Sequence, residues 1–289
     1  MFSRIVVPLD GSKPAEQVFP YVGKLAEGFG SEVFLISICE PGEESLVPSC
    51  ELYIHEEAQK IASLVGPGSR VSAHTFFGSP AEEIVSFARE KAVDLIAMAS
   101  YGRRGVFSGV LGTTANKLLH MIRVPLLLVK GGEVSANLKP LSRILVPLDG
   151  SDTSSITLDY VLALARVFEI EVYLLQVIEK THHVHTIGGI DYVPFTESDI
   201  ARRKEKAAAY LEEVARRFSE TRARVIFEAR VGDVAREMLG AAGDKSCDLI
   251  ALASHLHSGL EAWFYGSVSY RVLNTSSQSV LFLPSRRGE

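Results

Sequence analysis

The sequence predicts an α/β protein made of two tandem domains, each with a five-stranded parallel sheet flanked by helices. Short apolar runs alternate along the chain with amphipathic segments, which is the pattern of parallel strands joined by helical crossovers. The chain also repeats itself. SRIVVPLDGS at residues 3–12 returns as SRILVPLDGS at 142–151, and DLIAMAS at 94–100 returns as DLIALAS at 248–254.

The spacing of the repeats sets the domain limits. The offset between the copies grows from 139 residues at the first motif to 154 at the second, so domain 2 contains an insertion. We place domain 1 at residues 1–131 and domain 2 at residues 142–289. The linker between them, residues 132–141, contains glycine, serine, asparagine and proline.

The predicted strands of domain 1 are apolar runs at residues 4–7, 32–39, 70–77, 94–99 and 124–130. One helix is predicted after the first strand, because Ser12 and Pro14 are start signals and Gly28 and Gly30 are stop signals. Its apolar residues recur at helical spacing: Val18, Val22, Leu25, Ala26 and Phe29.

Three further helices are predicted in domain 1. The first lies near residues 52–64. The second begins at GSPAEE, residues 78–83, where a serine cap precedes a proline and is followed by glutamate, and it ends near Lys91. The third begins at Gly112.

Domain 2 repeats this order, with strands predicted at residues 143–146, 171–178, 224–229, 248–253 and 279–283. Its helices are predicted around the apolar positions Leu158, Val161, Leu162, Ala165 and Phe168, and at residues 199–218, 234–242 and 266–274. The insertion, residues 180–197, is predicted to be a loop. The helix at 199–218 has apolar residues along one side, so its many charged residues are predicted to form a solvated face.

Composition restricts the classes of partner. The formal charge of −5 gives no basic surface for nucleic acid, and no apolar stretch approaches the ~20 residues of a membrane span. The three cysteines, Cys39, Cys50 and Cys247, lack metal-binding spacing and are predicted to be reduced thiols. We therefore expect a cytoplasmic protein that contacts neither nucleic acid nor membrane.

A strand, a glycine-containing loop and a helix follow one another at residues 94–119. Gly102 lets the loop approach a ligand closely, and the helix that opens at Gly112, Thr113 and Thr114 offers unpaired N–H groups and the positive end of its dipole. This order favours phosphate binding. An ordinary strand-to-helix turn with flexible glycines is the alternative.

With these motifs the chain resembles the universal stress protein family in its tandem two-domain form. The resemblance rests on VPLDGS at 7–12, GSPAEEI at 78–84 and the Gly-x9-Gly-Thr loop at 102–113, and it covers nearly the whole chain. It implies two Rossmann-like domains of the adenine nucleotide alpha hydrolase type. One branch of that family binds ATP through a Gly-x2-Gly-x9-Gly-Ser/Thr loop, whereas another branch lacks the loop and does not bind ATP.

Domain 1 meets the family pattern with one change, since Ala99 stands where the first loop glycine is expected. Alanine would prevent binding only if this position needs positive φ or touches the ligand through its α-carbon. Arg103 and Arg104 could neutralise phosphate or be solvated. The resemblance places the nucleotide against Pro8, Asp10, Ile38, Met98, Ala99, Tyr101, Gly102, Arg103, Gly112, Thr113 and Thr114.

Domain 2 departs further, because the two loop glycines correspond to Ala253 and Leu256. We expect a weak or empty site here, where the apolar loop either fills the pocket or forms a contact surface. The residues of this weaker second site are Pro147, Asp149, Val177, Leu252, Ala253, His255, Gly266, Ser267 and Val268.

Neither a metal centre nor a catalytic residue is predicted. His182, His183 and His185 lie close together in sequence, but no second ligand cluster accompanies them. His255 and His257 lack the partners of a catalytic base.

Two functional hypotheses remain. The first is a nucleotide-dependent stress-response regulator that binds ATP, or AMP or ADP, mainly in domain 1, with Mg²⁺ held through the phosphates and at most slow hydrolysis. The second is a structural or interaction module with vestigial pockets. By resemblance, residues 126–129 and 280–283 could pair within one chain as a pseudo-dimer, and two chains could associate further as a homodimer.

Overall fold

The structure, a computed structural model, describes residues 1–66, 70–101, 111–130, 140–186, 189–253 and 266–284. The described strands of domain 1 are β1 Arg4–Pro8, β2 Glu32–Cys39, β3 Arg70–Phe77, β4 Leu95–Ala99 and β5 Leu126–Val129. Its helices are α1 Lys13–Glu16, α2 Phe19–Phe29, α3 Val47–Leu64, α4 Pro80–Glu90 and α5 Thr113–Met121, with a 3-10 turn at Glu44–Leu46.

Domain 2 has the same order with one added hairpin. Its described strands are β6 Arg143–Pro147, β7 Glu171–Ile178, β8 Thr181–Thr186, β9 Gly189–Pro194, β10 Arg224–Val231, β11 Leu249–Ala253 and β12 Ser279–Leu283. Its helices are α6 Asp152–Val167, α7 Glu197–Arg216, α8 Val234–Asp244 and α9 Ser267–Thr275.

The main strands form one ten-stranded sheet in the order β10-β7-β6-β11-β12-β5-β4-β1-β2-β3. Pairing within each domain is parallel, and the two halves meet where β5 and β12 pair antiparallel, with Leu127 opposite Leu281. The predicted α/β class is therefore confirmed, and the pairing of the fifth strands within one chain is present. Strand order reverses between β1 and β4, and between β6 and β11, which opens a crevice at the carboxyl edge of each half.

Each face of the sheet has one apolar core that continues across both domains. Leu127 of β5 and Leu281 of β12 belong to the cluster on the side of α2, α3, α6 and α7, whereas Leu128 and Val280 belong to the cluster on the other side. Successive strand residues point to opposite faces, so each junction strand contributes to both cores. Burying one such leucine stabilises the fold by about 2 kcal/mol.

The domains also touch through α2 and the region of α6. The rings of Phe29 and Phe168 lie edge to face with centroids 5.9 Å apart, and Phe2 packs on Tyr160 at 5.7 Å. The Lys24 ammonium donates to the carbonyl of Pro140 at 2.7 Å. These contacts fix one domain against the other at a second place besides the sheet.

Two predictions about the first helix are wrong. The structure has two helices, α1 and α2, because Pro20 lies in the first turn of α2 and has no N–H with which to continue a helix from α1. Gly28 does not end α2; Gly30 does, with a left-handed φ of 64°. A Cβ on Gly28 would lie 2.3 Å from the Phe168 ring, so this glycine serves the packing between domains.

The predictions for the insertion and for the linker have different outcomes. The insertion is not a loop, since β8 and β9 form a separate antiparallel hairpin, with Thr181 paired to Pro194. Most of the predicted linker lies outside the described residues, because these exclude 131–139. Within the part of the chain that the structure describes, no helix is both long and apolar enough to cross a membrane.

Candidate functional site

Domain 1 has a cavity of about 470 Å³ at the carboxyl ends of β1, β2 and β4, beside the beginning of α5. Nine of the residues that the sequence predicts for the nucleotide line it: Pro8, Asp10, Ile38, Met98, Ala99, Tyr101, Gly112, Thr113 and Thr114. Gly102, Arg103 and Arg104 lie outside the described residues. The volume is in the range of small-molecule sites, about 300–1,000 Å³.

Asp10 is held in a fixed orientation at the cavity wall. Its Oδ1 accepts hydrogen bonds from the Ser12 backbone N–H at 3.0 Å and from the Ser12 hydroxyl at 2.6 Å. Ser12 is also the cap of α1, since its side chain accepts from the Ala15 N–H. The repeated sequence Asp-Gly-Ser therefore builds a rigid turn that presents a carboxylate to a ligand.

The beginning of α5 faces the same cavity. Gly112 is the N-cap and has no side chain to bond the first-turn N–H groups, and Thr113, Thr114 and Ala115 all line the cavity. The Gly112 N–H donates to the Ser100 carbonyl at 2.8 Å, which draws the helix start against the end of β4. Unpaired N–H groups and the helix dipole make this wall favourable for an anion.

Ser100 is a site residue that the sequence did not predict. It is fully buried, it lines the cavity, and its hydroxyl has no hydrogen-bond partner among the residues that the structure describes. Because a buried polar group without a partner is unfavourable, the hydroxyl is a candidate contact for a ligand. The available signals were its place after the apolar run of β4 and its match to Ser254 in the second repeat.

Alanine at position 99 is compatible with the backbone there. Positive φ angles occur, among the described non-glycine residues, at Phe2, Ala92, Leu141 and Ser246, and Ala99 ends β4 in strand conformation. The methyl group therefore causes no conformational strain.

The opposite side of the cavity is acidic. Glu40 and Glu43 follow β2 and line it together with Asp10, and no lysine or arginine lines it among the described residues. Carboxylates accept hydrogen bonds from hydroxyl and amine groups. This side therefore suits the ribose or base of a nucleoside, and the α5 side suits its phosphates.

Domain 2 has a larger cavity, of about 1030 Å³, at the equivalent place. Eight of the predicted residues line it: Pro147, Asp149, Val177, Leu252, Ala253, Gly266, Ser267 and Val268. Asp149 is oriented as in domain 1, accepting from the Ser151 N–H at 3.0 Å and its hydroxyl at 2.7 Å. His255, His257 and Leu256 lie outside the described residues, so the two fates predicted for their loop remain predictions.

Sequence reasoning missed several polar residues of the second cavity. Arg203 and Lys206 reach it from α7, although that helix was predicted to present only a solvated charged face. Gln176 of β7 also lines it, and among the described residues its buried side-chain oxygen has no hydrogen-bond partner.

Asp94 and Asp248 occupy matching positions in the two repeats, and their carboxylates have a structural role. Asp94 accepts from the backbone N–H groups of Ser3 and Arg4 at 2.9 and 3.1 Å. Asp248 accepts from the Ser142 N–H at 2.8 Å, although burial raises the pKa of its carboxyl. Each carboxylate ties the start of its domain's first strand to the start of the fourth.

Metal ligation finds no support in the geometry of the described residues, which contain no group of three or more His, Cys, Asp or Glu side chains placed to hold an ion. The histidine side chains of the hairpin lie outside that description.

The fold and its two edge cavities define a tandem Rossmann-like protein with one ligand cavity in each half. The model of the universal stress protein family matches residues 1–130 and 140–284, and the chain belongs to that family.

Similar proteins cover one domain or both. Universal stress protein MJ0531 of Methanocaldococcus jannaschii is 30% identical over 142 residues, which is 45% of this chain and 83% of that protein. Universal stress protein YxiE of Bacillus subtilis is 32% identical over 145 residues, or 49% of this chain and 98% of its own. The crystal structure of a universal stress protein from Archaeoglobus fulgidus has a TM-score of 0.71 at 19% identity, covering 98% of this chain and 99% of that one, and shows the shared fold.

Proposed function

We propose that domain 1 binds ATP, or AMP or ADP in the same orientation, and that the protein acts as a nucleotide-dependent stress-response regulator. One observation carries the proposal. A single cavity unites the oriented carboxylate of Asp10, the unpartnered hydroxyl of Ser100 and the uncapped beginning of α5. The base and ribose would lie on the acidic side, and the phosphates would lie against Thr113 and Thr114.

The charges suggest how a polyphosphate is tolerated. Asp10, Glu40 and Glu43 oppose an anion, so Mg²⁺ on the phosphates would be needed to reduce repulsion. We expect at most slow hydrolysis, since the described lining includes no histidine or lysine and its carboxylates belong to the side that we assign to the ribose and base. Occupancy would then control conformation or partner choice.

Measuring the nucleotide released on denaturation tests the proposal. We expect about one adenine nucleotide per chain, lost in Asp10→Ala and retained in the matched variant Asp149→Ala of domain 2. Thermal melts of both variants would separate loss of binding from loss of folding. Absence of bound nucleotide, with no uptake of ATP at millimolar concentration, would overturn the proposal and favour an interaction module.

A further inference from the structure

The cavity of domain 2 differs from that of domain 1 in charge. Arg203 and Lys206 line it together with two acids, Asp149 and Glu179, whereas the described lining of the first cavity carries only acids. Arg202, on the same helix, pairs with Asp199, but within the described part of the chain neither Arg203 nor Lys206 has an ion pair. Their positive charges are therefore available to a ligand.

Arg203 is positioned by the insertion. Its guanidinium lies 3.9 Å from the centroid of the Phe195 ring, and the Phe195 N–H donates to the Lys180 carbonyl at 2.9 Å across the base of the hairpin. Thr181 and Phe195 line the cavity as well. Domain 1 has Cys50 of α3 on the corresponding wall, so among the described residues the cationic wall of α7 beside the hairpin occurs in domain 2 and not in domain 1.

A second anion-binding feature lies across the cavity. Gly266 caps α9 without a side chain, and Ser267, Val268 and Ser269 of its first turn line the cavity. β6 lies between β7, on which α7 packs, and β11, which precedes α9. α7 packs with the core on one face of the sheet and α9 with the core on the other, so the two features lie on either side of the carboxyl edge of the sheet.

Between these two ends the wall offers apolar surface and one amide. Leu175, Val177 and Leu252 line it, and within the described part of the chain the buried oxygen of Gln176 has no hydrogen-bond partner. With about 1030 Å³ against about 470 Å³, the cavity has room for a ligand larger than a mononucleotide.

We propose that the domain 2 cavity binds an extended nucleotide with anionic groups at two ends. A pyrophosphate would lie against the first turn of α9, and a second phosphate would lie against Arg203 and Lys206. This site goes beyond ATP binding in domain 1 and does not depend on it, because no residue is shared.

Coenzyme A and dephospho-coenzyme A form a matched pair of probes, since they differ only in one ribose phosphate. Isothermal titration with the full chain is expected to give about tenfold tighter binding of coenzyme A. The double variant Arg203→Ala, Lys206→Ala should remove that preference. The control Arg202→Ala, Lys204→Ala, which deletes the same charge from the same helix outside the cavity, should retain it.

The remaining outcomes decide the proposal against its alternatives. No binding of coenzyme A at millimolar concentration, equal affinity for the two probes, or a preference that survives in the double variant would each overturn it. Loss of coenzyme A binding in Asp10→Ala would assign the probe to domain 1 and overturn it too. Loss of ATP binding alone in Asp10→Ala would leave this proposal intact.

Discussion

Gly112 is required in domain 1 by close packing and not by an unusual backbone conformation. Its φ of −59° suits any residue, but a Cβ would lie 3.3 Å from the Ser100 carbonyl oxygen and 3.4 Å from the Tyr101 α-carbon. Backbone atoms cannot rotate away, so we predict that Gly112→Ala displaces the start of α5. The expected result is a loss of about 1–2 kcal/mol in unfolding free energy and about tenfold in ATP affinity.

Gly266→Ala is the control in domain 2. Among the described residues a Cβ there would meet no atom within 4 Å, so the unfolding free energy of the variant should stay within about 0.5 kcal/mol of the parent. Urea unfolding measures both variants. Equal losses would show that close packing is not the reason for Gly112.

Lys130 gives the molecule a pH dependence of known sign. Its ammonium donates to the Leu273 carbonyl at 2.6 Å, and burial lowers its pKa from 10.5 to about 8. Between these two values the unfolded chain keeps a proton that the folded chain has released, so stability rises with pH through this window. We predict that Lys130→Met loses this rise.

Urea unfolding between about pH 7.5 and 10.5 checks this prediction as the difference between parent and variant. Burial also raises the pKa of Tyr21 and of Cys247 to about 12, and both groups remain in the two proteins, so their contributions cancel. The exposed Lys204→Met serves as control. A difference that does not change with pH would contradict the prediction.

At the residue scale, the sequence predicts side chains that belong to a contiguous motif. Asp10 and Gly112 lie in repeated motifs and can be read directly from them. Ser100 is also repeated, as Ser254, but its significance lies in a buried hydroxyl without a hydrogen-bond partner among the described residues, and no motif shows that. Arg203 could not be found either, because an exposed arginine on a charged helix is recognisable as a cavity residue only once the hairpin positions it.

The contact between α2 and the end of α6 allows a test at the scale of elements. A Cβ on Gly28 would lie 2.3 Å from the Phe168 ring and 2.8 Å from Val167. We predict that Gly28→Ala lowers the unfolding free energy by about 1–3 kcal/mol, although alanine is the better helix former. In a Phe168→Ala background the same change should have a much smaller effect.

A double-mutant cycle measures this coupling by urea unfolding of the parent, both single variants and the double variant. The expected interaction favours the double variant, because truncating Phe168 removes the principal clash. Additive effects would show that the domains separate enough to admit the methyl group.

Elements with regular periodicity were predictable, and those set by a local exception were not. The strands follow apolar runs, so most bounds agree within two residues. The break between α1 and α2 depends on Pro20, whose effect is easily hidden by the continuous apolar spacing around it. The sequence of the hairpin β8–β9 lacks a clear alternation of apolar and polar residues, so periodicity did not indicate its two strands.

At the scale of the whole molecule, both apolar cores cross the junction of β5 and β12, and this predicts one cooperative unfolding transition. Each cluster contains residues from both domains, so neither half can open without exposing the other's core.

Ile54 of α3 is fully buried and lies in domain 1, far along the sheet from β12. We predict that Ile54→Ala lowers the unfolding free energy by about 2–4 kcal/mol and that amide hydrogen exchange accelerates equally in β1 and in β6. Hydrogen-exchange mass spectrometry resolves the two strands. Faster exchange confined to β1, or a second transition in urea, would mean that the tandem domains unfold as independent units despite their shared sheet.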